Sequence, residues 1–219
     1  MDGTFIMPRE RILSFLLILI TGLLAATAVS PYDRATWLME VAPVLIAMPV
    51  LLLTYKRFPL TSLLYFLIFL HAIILITGGS YTYARVPFGF WLQDLLSFSR
   101  NPYDRIGHFF QGLVPALAAR EILLRNGSVS RKRMASFLSI CVALAVSACY
   151  ELIEWAAALV LGQAADDFLG TQGDPWDTQW DMFMCLIGAV VAMTVFSREQ
   201  DRQIASLRQA AGTRVAITG

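Results

Sequence analysis

Three short runs place ionisable side chains on common helix faces. Asp104, His108 and Gln111 follow i, i+4, i+7, and Glu151 and Glu154 follow i, i+3. Asp174, Asp177 and Asp181 form a third acidic stripe if the helix that carries them begins early. Glu40 and His71 stand singly in other apolar stretches. Two helices presenting carboxylates and one presenting an imidazole and an amide make a donor set that could hold a divalent metal ion. The same set could run general acid–base chemistry, with one carboxyl kept neutral by burial. His108, Glu151, Glu154 and Asp181 are the candidates for the catalytic or metal-binding roles. Asp104, Arg105, Gln111 and Asp177 are the candidates for substrate binding, with Arg105 and Gln111 holding a phosphate or polar headgroup.

Simpler roles compete for several of these residues. Asp104 at a helix start is favoured by the helix dipole alone. Thr178-x-x-Asp181 is nearly a capping box. His71 reads as a hydrogen-bonded packing residue, Glu40 as a side chain reaching the interface, and Arg105 as an interface anchor. The Glu151–Glu154 pair resists such a reading. Two carboxylates on one buried face repel unless a proton, a cation or a basic partner intervenes.

The elements that must carry these groups are apolar blocks. Of the 219 residues, 57% are hydrophobic and 15% charged, with a mean hydropathy of +0.62. A soluble domain of this size carries nearer a quarter charged residues. The pattern predicts an all-α membrane protein, a bundle of six transmembrane helices at about 12–29, 35–54, 60–77, 106–124, 134–161 and 179–197. Residues 1–197 form one polytopic membrane domain, and 198–219 read as a polar, partly disordered cytoplasmic tail. Ala26-Thr27-Ala28 resembles a leader-cleavage site, but the first apolar run is long enough to remain as an anchor. Residues 81–101 hold Phe88, Phe90, Trp91, Leu95 and Phe98, the pattern of a short amphipathic helix in the interface plane. Cys141, Cys149 and Cys185 read as small core residues.

Basic residues set the orientation. With the N-terminus inside, the inner segments hold 13 Lys and Arg and the outer segments 4, namely Arg34, Arg85, Arg100 and Arg105. The acidic loop at 162–178 has neither Lys nor Arg and belongs outside. Both termini are then cytoplasmic, and the expected location is a bacterial inner membrane. Every candidate residue falls within about two turns of the outer surface, at 1.5 Å per residue. The cytosolic halves of the spans read as chemically inert.

The strings at 101–112 (NPYDRIGHFFQG), 150–155 (YELIEW) and 168–182 (FLGTQGDPWDTQWDM) resemble the YjdF-type bacterial inner-membrane proteins. That resemblance covers nearly the whole chain. It implies a small polytopic inner-membrane protein from a family without an established biochemical activity. The order of Asp104 with His108, then Glu151 with Glu154, then Asp181 is more distantly similar to VanZ-like membrane proteins, which are linked to the cell envelope. The spacing Asp174-x-x-Asp177-x-x-x-Asp181 also matches the magnesium–diphosphate motif of UbiA-type prenyltransferases. Here it occurs once, is interrupted by Pro175, and lies on the expected outer face.

Three functions remain open from sequence. One is an outward-facing enzyme or ligand site for an envelope lipid or lipid-linked precursor, with a divalent metal as a candidate cofactor. The second is a non-catalytic scaffold whose polar cluster fixes helix packing. The third is a small proton-coupled transporter, disfavoured by the dry inner halves and the absence of an inverted repeat. The lipid bilayer is the expected partner. A net charge of +1 gives no case for nucleic acid. Glycine-rich phosphate loops, Gly-x-Ser-x-Gly and Cys-x-x-Cys are absent.

Overall fold

A computed structural model describes residues 8–161 and 172–218, with side chains described except at 161 and from 211 onward. Among the described residues all regular structure is helical. The helices are α1 (Arg9–Val29), α2 (Arg34–Thr54), α3 (Ser62–Tyr81), α4 (Pro87–Leu96), α5 (Tyr103–Arg125), α6 (Lys132–Leu161), α7 (Asp177–Val191) and α8 (Ser197–Thr218). A 3-10 turn at Tyr83–Arg85 precedes α4, and a π-helical turn at Ala192–Phe196 joins α7 to α8 without a break. The loop expected at 162–178 lies outside the described residues as far as 171.

Among the described residues, five helices are long and apolar enough to cross a membrane: α1, α2, α3, α6 and the continuous α7–α8 rod. The fourth expected span, α5, has 23 residues but is too polar to join them on hydropathy. Its position explains the difference. Helix α5 is packed by α3, α6 and α7, so its polar face meets protein. One core joins Leu64 of α3, Leu113 and Leu117 of α5, Ala143 of α6 and Cys185 and Ala189 of α7. A second joins Ile20 and Leu24 of α1 to Val41 and Val44 of α2 and Ile76 of α3. Large apolar side chains point outward instead, among them Ile18, Leu53 and Val160. Outward apolar surface of this extent suits a lipid solvent and not water.

Helices α5 and α7 touch backbone to backbone. A Cβ built on Gly112 would lie 1.8 Å from the Cys185 carbonyl oxygen, and one on Gly188 1.9 Å from that of Phe109. Small residues permit such approach where no hydrophobic force drives membrane helices together. Local signals start the helices around this pair. Asp33 accepts from the Thr36 N–H at 2.7 Å, and that bond holds its carboxyl below the usual range. At α5 Pro102 holds the cap position, directly before the first helical residue, Tyr103. Asn101 Oδ1 still accepts from the Tyr103 N–H at 3.0 Å. The aromatic stretch forms α4, with Phe88, Phe90, Trp91 and Leu95 exposed.

Three expectations are corrected. The chain after 197 is a helix through Thr218, and it buries Gln200 and Ile204 against the bundle. Of the cysteines, Cys185 is core, while Cys141 and Cys149 face outward on α6. The end of the bundle where α5 and α8 meet is not inert. Arg120, 2% exposed, pairs with Asp201 at 2.8 Å and donates to Gln200 Oε1 at 3.0 Å. Fully buried Glu121 accepts from the Thr61 N–H and hydroxyl at 2.9 and 2.7 Å and from Arg125 at 2.8 Å.

Candidate functional site

At the opposite end, the first turns of α5 carry Asp104, His108 and Gln111 inward. His108 is 6% exposed, although imidazole is costly to bury without partners. Its Nδ1 lies 3.0 Å from Gln111 Oε1, an oxygen that can only accept. Its Nε2 faces Asp104 Oδ1 at 3.5 Å and Asp181 Oδ2 at 3.8 Å. Glu151 Oε1 from α6 lies 3.8 Å from Nδ1. Tyr150 presents its ring edge to His108, with centroids 6.5 Å apart, and donates its hydroxyl to Glu40 Oε2 at 3.1 Å. Carboxylates from α2, α5, α6 and α7 thus surround one imidazole.

His108 borders a chamber of about 130 Å³, lined also by Glu40, Asp104, Gln111, Tyr150 and Glu154 and bounded by His71, Pro43 and Pro115; Glu151 and Asp181 contact His108 but are not part of that lining. Pro43, His71, Leu75 and Pro115 also line a second cavity of about 730 Å³. That cavity runs between α1, α2, α3 and α5 past Val44, Ala47 and Ala118 to Tyr55 and Lys56. Its volume is within the roughly 300–1,000 Å³ of small-molecule sites. A chamber lined by ionisable groups thus adjoins an apolar cavity.

The two polar clusters differ in satisfaction. Around Arg120 and Glu121 the hydrogen-bonding atoms have partners, as a packing network requires. In the outer cluster Glu151 Oε1, Asp181 Oδ1 and His71 Nε2 are buried without a hydrogen-bond partner. An orphaned buried polar atom costs about 1–3 kcal/mol, so this cluster is not explained by packing alone.

Not every candidate lies in the chamber. Arg105 is about a quarter exposed, pairs with Asp174 at 3.3 Å and lies over the Trp180 ring at 4.9 Å. Asp177 pairs with Arg100, which also lies 3.5 Å from Asp174 and 3.8 Å from Asp104. Arg105 and Asp177 therefore form a rim. The reason is where α7 begins. Asp174 sits in a turn, accepting from the Trp176 N–H at 2.9 Å, and the helix starts at Asp177. The stripe of three is broken, and Asp181 alone of the three reaches His108. No side-chain cap bond forms at this helix start, so Asp181 is not a cap partner.

Two residues given simpler roles line the chamber. Glu40 is 4% exposed and accepts from the Tyr150 hydroxyl instead of reaching outward, and His71 lines both cavities. Tyr150 and Arg100 were missed as members of the cluster. Arg100 carried a signal, its i, i+4 spacing to Asp104. Tyr150 carried none, because its partner Glu40 lies 110 residues away.

A family model described as "Predicted membrane protein (DUF2238)" matches residues 12–202, more than four-fifths of the chain. The chain belongs to this family. It is 60% identical over 196 residues to "Inner membrane protein YjdF" of Escherichia coli (strain K12), an overlap of 90% of this chain and 94% of that protein. No solved structure matches it. In this DUF2238 protein the matched region reaches from α1 into α8, so it contains the chamber, the apolar cavity and the Arg120 network.

Proposed function

We propose that this protein is a six-span bacterial inner-membrane protein, both termini cytoplasmic, that binds an envelope lipid or lipid-linked precursor near the outer face. The amphiphile's polar end enters the His108 chamber, and its chain lies in the adjoining apolar cavity. His108, Glu151, Glu154 and Asp181 are the groups placed to move protons at that polar end. Arg100 and Arg105 at the rim meet an anionic headgroup as it enters. One observation carries the reading: the two cavities share Pro43, His71, Leu75 and Pro115 in their linings, so the chamber beside His108 and the apolar cavity adjoin. The orientation draws support from Arg9, Arg125 and Arg208, which donate to the Leu60, Pro59 and Leu124 carbonyls at one end of the bundle. The scaffold role falls to the satisfied Arg120 network, at the other end from His108.

The test is the lipid that accompanies the protein out of the membrane. Wild-type protein purified in mild detergent and extracted for mass spectrometry is expected to carry one amphiphile class at near-stoichiometric amount. Ala47→Trp and Ala118→Trp, which fill the apolar cavity, should lower that amount at least tenfold without lowering the yield of folded protein. Glu154→Gln should retain a chain-bearing ligand but broaden the range of headgroups. Tryptophan variants that keep the wild-type lipid profile would refute the reading.

A further inference from the structure

We infer that Asp104, His108 and Asp181 form a binding site for a divalent transition-metal cation of the zinc or manganese class. The inference deepens the proposed function and rests on it for one point, the metal's open coordination position. Each residue offers one donor atom, and the three atoms lie within 4.8 Å of one another. Gln111 decides which imidazole nitrogen is available. Because Gln111 Oε1 can only accept, the Nδ1 that faces it carries the proton, and in the neutral imidazole Nε2 then holds the lone pair. A hydrogen bond from the far ring nitrogen is what orients metal-ligating histidines. That lone pair points at two carboxylate oxygens, an arrangement that repels unless a proton or a metal ion lies between them.

The spacing fits a metal better than a proton. Separations of 3.5 and 3.8 Å from Nε2 exceed the roughly 2.7–3.2 Å of an N–H···O hydrogen bond. They are close to the edge of a tetrahedron with 2.0–2.1 Å metal–ligand bonds, about 3.4 Å. The second oxygen of Asp181 has no hydrogen-bond partner although the residue is 2% exposed. One imidazole with two carboxylates and no thiolate selects a borderline first-row ion over a soft one. Three protein ligands leave a position open toward the chamber, where a headgroup oxygen can bind.

The experiment is metal analysis of the full-length protein purified without chelator. Wild type is expected to hold about one equivalent of zinc or manganese, or to bind one on titration with a rise in melting temperature. His108→Gln and Asp181→Asn should fall below a tenth of that occupancy. Gln111→Leu, which removes only that hydrogen bond, should weaken affinity by roughly 10–100-fold. Asp201→Asn, at the other end of the bundle, should bind as wild type does. In manganese-loaded wild type, pulsed electron paramagnetic resonance should show imidazole nitrogen coupling, a readout that needs no variant to fold. Wild type that takes up neither zinc nor manganese, or a manganese signal without nitrogen coupling, would overturn the site. Wild type separates the two proposals: metal held by a wild type that carries no amphiphile supports this site alone, and lipid retained by a metal-free wild type supports the lipid site alone.

Discussion

Replacing Gly112 or Gly188 with leucine is expected to prevent the bundle from assembling. Each glycine lies against a carbonyl of the facing helix, so even a Cβ would sit under 2 Å from an oxygen atom. Backbone cannot swing aside as a side chain can, so α5 and α7 would have to separate. That separation would pull Asp181 away from His108 and loosen the core around Leu113, Leu117 and Ala189. Overpacking a close core costs typically 1–3 kcal/mol, and a contact with backbone lies at or above the top of that range. Alanine at either position should already lower the yield of monodisperse protein by gel filtration, and leucine should abolish it. Leucine variants that ran and melted as wild type does would show that the helices are farther apart than described.

The second large effect belongs to Arg120. This side chain is nearly inaccessible and ties α5 to Ser136, Ser197, Gln200 and Asp201. Removing one member of a buried, hydrogen-bonded ion pair costs about 3–5 kcal/mol. The lower end applies here, since Asp201 is a quarter exposed and keeps Lys132 at 2.8 Å. Arg120→Ala should therefore destabilise the protein by about 3 kcal/mol and release α8 from the bundle. Trypsin would then cut at Arg202 and Arg208 much faster than in wild type. Arg208 is held in wild type by a 2.7 Å bond to the Leu124 carbonyl. Lipid occupancy should persist in any Arg120→Ala protein that remains folded, because the His108 chamber is at the other end. Unchanged proteolysis would mean that Arg120 does not fasten α8.

The parts legible in the sequence are those set by local pattern. Uniform apolar runs gave α1, α2, α3, α6 and α7 their positions, and the aromatic stretch after Tyr81 gave α4. The i, i+4, i+7 spacing brought Asp104, His108 and Gln111 to one face because α5 is regular there. Three features escaped for physical reasons. Arg105 and Asp177 turn to the rim because Asp174 occupies a turn ahead of α7, and stripe counting assumes a helix that has already begun. Glu40 joins the cluster through Tyr150, a contact between helices far apart in the chain. The Arg120–Glu121 network needs α8 folded back as a rod. A polar segment reads as a tail until Gln200 and Ile204 are seen to have somewhere to pack.

The most direct test of the amphiphile site is a cryo-electron microscopy map of the protein in a lipid nanodisc made from its native membrane. The account predicts one elongated density, its compact end within reach of His108 and Asp181 and its tail passing Pro43 and Pro115 between α1, α2, α3 and α5. A map with helices closed over Ala47 and Ala118, and His108 cut off from any route to the acyl layer, would contradict it.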